Sequence, residues 1–292
     1  MYIIWGSTYL AIRYAIETIP PFLMAGTRFT IAGAVLFGLS MAADGAKPTL
    51  RQWRNAAVIG TALMTFGNGI LGWSEQFIPT GFAAIVVAIV PFWMVILDWL
   101  RPGGVRPTRA VFIGLALGTI GLIVLVGPLA IASLSGAREG IPFGPVAALV
   151  FAGGLVWSAG SIYSRYVDLP GSAVRATGME MLCGGAILLF IGTVTGEARV
   201  LDIGSISARS VGGLVYLITF GSFVGFTAYI WLLKVVPASK VATHAYVNPV
   251  VAVLLGSTIG GETLTVRTMI AAAIIVAAVA LITTARARGS SH

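Results

Sequence analysis

A chain of 292 residues with 58% hydrophobic and only 10% charged residues, and a mean hydropathy of +0.97, lies far from a soluble domain, where about 25% of residues are charged. Its net charge of +8 would suggest nucleic acid in a soluble protein, but here the basic residues flank apolar runs and serve orientation in a bilayer, so no nucleic-acid partner is expected. The single cysteine, Cys183, sits in an apolar run and cannot close an internal disulfide, so it is silent on redox compartment.

Ten apolar segments follow one another, at 1–17, 21–42, 53–74, 80–100, 107–128, 142–165, 172–195, 208–233, 238–259 and 265–285. Each approaches the ~20 residues a spanning helix needs. Pro, Gly and most of the charge fall between them, as in Pro20-Pro21, Pro102-Gly103-Gly104 and Asp168-Leu169-Pro170-Gly171, and no connection has room for a soluble domain. The N-terminus runs straight into the first segment with no cleavable secretory signal. Trp5 has four residues before it where Trp157 has a long apolar lead, which points to a first helix cut short at its start. The expected fold is an all-α membrane protein of ten transmembrane helices.

The segments form two sets of five. Trp5 and Trp157, Arg13 and Arg165, Gly26 and Gly178, and Gly33 and Gly185 are each 152 residues apart. From the third helix onward the displacement is 158, which relates Thr61 to Thr219, Gly67 to Gly225, Trp73 to Trp231, Pro79 to Pro237, Pro91 to Pro249 and Arg109 to Arg267. A constant displacement across Trp, Arg and Pro marks an internal duplication, 1–128 and 142–285.

With the N-terminus inside, the inner loops and tail carry Lys47, Arg51, Arg54, Arg101, Arg106, Arg109, Arg165, Arg175, Lys234, Lys240, Arg286 and Arg288. The outer loops carry Arg138, Arg199, Arg209 and Arg267. The excess of positive charge places both termini in the cytoplasm. Five helices per half is odd, so the second half enters from the opposite side and the repeat is inverted. Many secondary transporters are built this way, with the substrate site at mid-depth between the repeats.

The candidate functional residues are polar groups at depth. Lys240, His244 and Asn248 recur every fourth residue and share a helix face. Pro249 cannot donate to the carbonyl of Ala245, so a kink is expected there, and at Pro91 in the matching position; both are hinge candidates. The third helix carries Thr61, Thr65, Asn68, Gly72 and Glu75 at helical spacing, which reads either as a polar cavity wall or as interhelical hydrogen bonding. Trp5 with Tyr9, and Trp157 with Ser161, could stack on substrate or simply anchor and pack; Trp157, nearer mid-depth, is preferred. Arg28 and Glu180 are repeat mates of opposite charge, placed on opposite sides of the membrane by the inversion. Each needs a partner or a watered cavity, with Lys234 or Arg165 open to Glu180 and Glu75 or Glu17 open to Arg28. Asp98 beside Arg101 reads as a solvated anchor. Gly114 to Gly118 and Gly221 to Gly225 both have the Gly-x-x-x-Gly spacing of close helix packing. The substrate-contact set is therefore His244, Asn248, Asn68, Trp157, Glu180 and Glu75.

Trp5-Gly6-Ser7-Thr8-Tyr9, Pro20-Pro21 followed by Arg28-Phe29, Gly67-Asn68-Gly69, Tyr246-Val247-Asn248-Pro249 and Gly260-Gly261-Glu262-Thr263-Leu264 together resemble the EamA-type exporters of the drug/metabolite transporter superfamily, and within them the YedA-like group. The resemblance covers nearly the whole chain. It implies ten helices, a central cavity between two five-helix repeats, and export of small metabolites or drugs by alternating access. It does not fix one substrate. Two positions depart from the pattern: His244 stands where relatives carry an aromatic or small residue, and Gly104 stands where the first repeat would carry the mate of Glu262.

The expected function is an inner-membrane, multi-pass exporter of small metabolites, amino acids among them, or of amphipathic drugs. There is no Gly-x-x-x-x-Gly-Lys-Ser/Thr loop, so transport is facilitated or ion-coupled, with protons the candidate ion and no cofactor or metal required. A monomer or a homodimer fits. A membrane-embedded enzyme is the competing class, but neither His-Glu-x-x-His nor Gly-x-Ser-x-Gly occurs. A purely structural membrane protein leaves His244, Asn248 and Asn68 at depth without purpose, and a nucleotide-sugar-type exchanger is the alternative within the superfamily.

Overall fold

The computed structural model describes residues 1–44, 47–77, 86–87, 89–104, 106–134, 143–259 and 265–285, and these contain helices and no strand. In chain order the helices are α1 (Tyr2–Ala15), α2 (Pro21–Asp44), α3 (Leu50–Ser74), α4 (Val90–Leu100), α5 (Arg109–Leu134), α6 (Phe143–Ser164), α7 (Ala173–Val194), α8 (Ala208–Val235), α9 (Ala238–Ala242, then His244–Ile259) and α10 (Val266–Thr284). Short helical turns at Glu197–Val200 and Ile203–Ser205 join α7 to α8. Six helices (α2, α3, α6, α7, α8 and α10) are long and apolar enough to cross a bilayer; α4 and the Arg109–Leu125 part of α5 are shorter apolar helices. Pro79, Phe82, Arg138, the Gly260 to Leu264 motif, Arg286 and Arg288 lie outside the described residues.

Side-chain caps set several helix starts. α3 begins ahead of its apolar stretch because Thr49 and Gln52 form a reciprocal capping box, Gln52 N donating to Thr49 Oγ1 at 3.2 Å and Thr49 N to Gln52 Oε1 at 3.1 Å. Ser172, Ser207 and Thr265 cap α7, α8 and α10 in the same way, each accepting from the backbone N–H three residues on. Pro91 falls in the first turn of α4, where a missing N–H leaves no helical bond unmade. In α9 the helix continues through Pro249, and its break falls earlier, at Thr243. The carbonyls there accept backbone N–H groups in a tightened turn, Thr243 N donating to Lys240 O at 3.3 Å, and side chains add to them: Thr243 Oγ1 donates to Lys240 O at 2.7 Å and the His244 ring pairs with Val241 O at 2.9 Å.

The sequence pattern gives no sign of two further irregularities. α3 is π-helical over Thr61–Gly69 and α8 over Leu217–Phe226, the wider turn that recurs at functional sites. The two stretches are nearly coincident at the displacement that relates Thr61 to Thr219.

Packing is closest where α2 crosses α7. A Cβ on Gly26 would lie 2.8 Å from Leu189 N, on Gly33 2.7 Å from Leu182 N, on Gly178 2.7 Å from Phe37 N, and on Gly185 2.7 Å from Thr30 N. The contacts climb α2 while they descend α7, so the helices are antiparallel, and the four glycines are the two mated pairs of the duplication. Without a hydrophobic drive between helices in lipid, such backbone approach through small residues is what gives dispersion its purchase. α5 and α10 are also antiparallel, Gly114 facing Ile282 and Gly121 facing Ile275. Around these pairs, α1 packs on α8 and α9 while α6 packs on α3 and α4, and α2 meets α8 while α7 meets α3. Each contact has its counterpart five helices on.

Gly178→Leu should therefore force α2 and α7 apart, with a cost of about 1–3 kcal/mol typical of overpacking. Thermal unfolding in detergent checks this: a clearly lowered midpoint is expected, whereas Gly38→Ala, whose added Cβ meets nothing within 4 Å, should leave the midpoint in place.

Candidate functional site

The bundle holds a cavity of about 790 Å³ of atom-free space, its open mouth included, walled by α1, α2, α3, α4, α6, α8 and α9. The residue facing it from α2 is Arg28; Phe66, Gly67 and Asn68 come from the π-helical part of α3, Gly153, Gly154 and Trp157 from α6, Phe226 from the end of the π-helical part of α8, and His244, Ala245 and Asn248 from α9. Trp5, Thr8, Tyr9 and Ile12 complete the wall from α1.

An aromatic cluster forms one end. Trp5 lies edge-on to Trp157 with centroids 6.0 Å apart and packs at 5.0 Å on each of Phe226, Tyr229 and His244. Trp157 also packs on Phe226 at 5.9 Å and Tyr229 at 5.6 Å. The two indoles are seated by mated glycines: a Cβ on Gly67 would collide with the Trp157 ring and one on Gly225 with Trp5 Nε1. Both indole N–H groups are used, Trp5 donating to Gly221 O at 3.2 Å and Trp157 to Tyr229 Oη at 3.0 Å, which also bonds Ser161 Oγ at 2.7 Å. The preference for Trp157 over Trp5 therefore has no basis in the structure, since both indoles occupy one cluster and both face the cavity.

His244 is 6% exposed. Its Nδ1 lies 2.9 Å from Val241 O, a pairing that requires the proton on Nδ1 and leaves Nε2 an acceptor. One turn on, the Asn248 amide, oriented with its nitrogen towards two carbonyls, donates to His244 O at 3.0 Å and Tyr2 O at 3.3 Å, leaving its oxygen as an acceptor. Asn68 Nδ2 donates to Leu63 O at 3.1 Å, five residues back, within the π-helical turn. Of the third-helix stripe, only Asn68 faces the cavity: Thr65 Oγ1 donates across to Gly184 O on α7 at 3.4 Å, and Thr61 Oγ1 turns back to Ala57 O at 2.7 Å. The wider π turn rotates successive residues out of the α-helical stripe that the spacing implies.

The structure brings His244, Asn248, Asn68 and Trp157 to one cavity and leaves Glu180 and Glu75 off its wall. Glu180 is fully buried on α7 and neither carboxylate oxygen has a hydrogen-bond partner among the described residues. The expected partners make their hydrogen bonds to backbone carbonyls, Lys234 to Pro170 O at 3.3 Å and Arg165 to Val236 O at 2.7 Å, and Lys234 stays near enough for its charge to act on Glu180. Glu75 follows α3, with its Oε1 buried and unpartnered. Arg28 meets neither Glu75 nor Glu17; it bonds Ser222, and Glu17 pairs with Arg209 at 3.6 Å. Asp98 does pair with Arg101, at 2.8 Å and partly exposed, and the hydrogen bond holds the Arg101 guanidinium above its ordinary pKa. Gly114 of the first Gly-x-x-x-Gly stretch packs against a neighbouring helix, while Gly221 and Gly225 make room for Arg28 and Trp5. Phe226 and Thr8 join the cavity wall with no signal in spacing or charge.

An all-helical bundle of this hydropathy, with polar and aromatic side chains gathered on an internal cavity, is a multi-pass membrane protein of the transporter class. The chain belongs to the EamA-like transporter family, whose model matches it twice, over residues 1–127 and 144–284. It is 38% identical over 284 residues to the inner membrane transporter YedA of Escherichia coli K12, covering 97% of this chain and 88% of that protein. It is 23% identical to the transporter YvbV of Bacillus subtilis, with the same coverage, and 24% identical to a probable terminal-alkyne amino-acid exporter of Streptantibioticus cattleyicolor, covering 95% and 89%. A solved crystal structure 20% identical in sequence superposes with a TM-score of 0.76 over 97% of this chain and 94% of the other, which extends the likeness to the fold.

Proposed function

We propose that the chain is an inner-membrane exporter of small metabolites or amphipathic drugs that works by alternating access around the cavity between two inverted five-helix repeats, 1–128 and 142–285. The observation that carries this is the cavity itself, in which groups costly to bury in hydrocarbon face a common space from both halves of the chain. The antiparallel crossing of α2 with its mate α7, the matched π-helical stretches and the exchange of indole and glycine between halves all support an inverted repeat. The excess of Lys and Arg on the loops assigned inside supports cytoplasmic termini.

In this reading His244, Asn248, Asn68 and Trp157 contact substrate, and the substrate range includes amino acids, as the name of the Streptantibioticus relative suggests. The π-helical stretches and the break at Thr243 supply the compliant backbone that rocking requires, with Pro249 and Pro91 as hinge positions beside them. Unsatisfied backbone at such places is tolerable only against protein or a watered cavity. Glu180, buried without a hydrogen-bond partner, is the proton-coupling group and acts from behind the wall rather than on it.

Counterflow of labelled phenylalanine and of an amphipathic dye in proteoliposomes tests transport directly, and His244→Asn tests substrate choice. The asparagine amide can still donate to Val241 O but lacks the Nε2 acceptor, so the ranking of several substrates should change at equal protein level. A uniform fall in every rate, or no change, would remove His244 from substrate selection. Glu180→Gln should abolish accumulation driven by a pH gradient while passive exchange continues. Loss of folded protein would instead make the carboxylate a structural element. A reporter fused to the C-terminus should be active in the cytoplasm; a periplasmic signal would rule out the proposed orientation.

A further inference from the structure

Taking the cavity as the substrate site, we infer that Arg28 receives a carboxylate of the transported molecule, and that the chain selects monoanionic or zwitterionic molecules with an apolar body. Arg28 is 3% exposed and faces the cavity from α2. Its Nε donates to Ser222 Oγ at 2.8 Å and its Cζ lies 4.6 Å from the centroid of the Phe29 ring, so the plane of the guanidinium is fixed. These contacts leave the two terminal nitrogens, the pair that meets a carboxylate in a bidentate fork. Among the described residues no carboxylate lies within ion-pair distance of them and no other hydrogen bond is made by them. Gly221 lies close beside Nη2, where a Cβ would come within 2.9 Å, so a glycine is what lets the guanidinium sit in this position.

A cation buried in a membrane protein without a counter-ion is sustained by water or by an anion that enters. Arg28 occupies a cavity, and the acidic groups are elsewhere: Glu17, exposed beyond the end of α1, is held by Arg209, and the buried Glu75 and Glu180 lie off the wall. A single guanidinium neutralises one negative charge. A phosphate dianion would leave a net charge inside the bilayer, whereas a carboxylate would not. Beyond Arg28 most of the wall is aromatic and apolar, with Trp5, Trp157, Phe226 and Phe66 to receive the rest of the molecule. His244 Nε2 and the Asn248 amide oxygen, both acceptors, suit an ammonium group where the substrate has one.

The test uses the purified full chain in detergent and four probes of similar body: 3-phenylpropionate, L-phenylalanine, 2-phenylethylamine and 3-phenylpropan-1-ol. Thermal unfolding midpoints and tryptophan emission read binding at the indole cluster without requiring transport. The two carboxylates should bind saturably and at least about tenfold more tightly than the amine or the alcohol, the discrimination expected of a desolvated charge-assisted pair. Arg28→Gln, whose amide can still donate to Ser222, should lose that preference, and Arg28→Lys should keep it in weaker form. Equal binding of all four probes, tighter binding of the amine, or no carboxylate binding overturns the inference in the wild-type protein alone, even if neither variant folds. Carboxylate-selective binding without counterflow of any solute would sink the transport reading and leave this one standing. Counterflow with no preference for the carboxylates would do the reverse.

Discussion

The antiparallel contact of α2 with α7 is the constraint on which the remaining architecture rests. In hydrocarbon, helices gain nothing by hiding apolar side chains from lipid, so they hold together where backbones come close enough for dispersion to act. Four glycines provide that approach along one seam, and in doing so fix the separation and tilt of the two elements from which Arg28 and Glu180 project. α3 and α8 then lie on either side of the seam, bringing their π-helical stretches to the cavity from opposite halves. A shift at the glycines would move both walls together.

Inside this frame, polar groups are treated in two ways. Most are spent on the structure itself. Ser158, Ser161, Thr243 and Asn68 all bond backbone carbonyls, the last two where a helix breaks or widens. A smaller set retains unused capacity: the terminal nitrogens of Arg28, one nitrogen of His244 and the amide oxygen of Asn248 face the cavity, and the oxygens of Glu180 do not. That division separates packing chemistry from recognition chemistry more sharply than residue type alone.

The location of the helices and the cavity residues of α9 were legible in the sequence, because hydropathy, proline spacing and a constant displacement all act over long windows. At α3 the boundary shifted because the Thr49–Gln52 cap overrode the apolar pattern, and α5 runs on to Leu134, past the expected end at 128. The third-helix stripe was misleading for a definite reason. Its assignment assumed α-helical periodicity through Thr61–Gly69, and the π turn sends Thr65 to α7 while Asn68 stays on the cavity. The ion pair expected for Arg28 does not form, and Lys234 acts on Glu180 only as a nearby charge without a hydrogen bond. Charge complementarity can be read from composition, but the distance between a helix-2 arginine and the acids around it depends on packing that leaves no periodic trace. Pro249 marked the right helix; the break falls at Thr243, where side chains of Thr243 and His244 bond the carbonyls of the preceding turn, a place no proline rule anticipates.

The seating of the two indoles ties one half of the chain to the other. Trp5 belongs to the first half and rests on Gly225 of the second; Trp157 belongs to the second and rests on Gly67 of the first. Neither half can fill its own groove or bury its own ring. Each indole is therefore seated only when both halves of the chain are in place, and the aromatic end of the cavity is assembled last, as the halves close on one another.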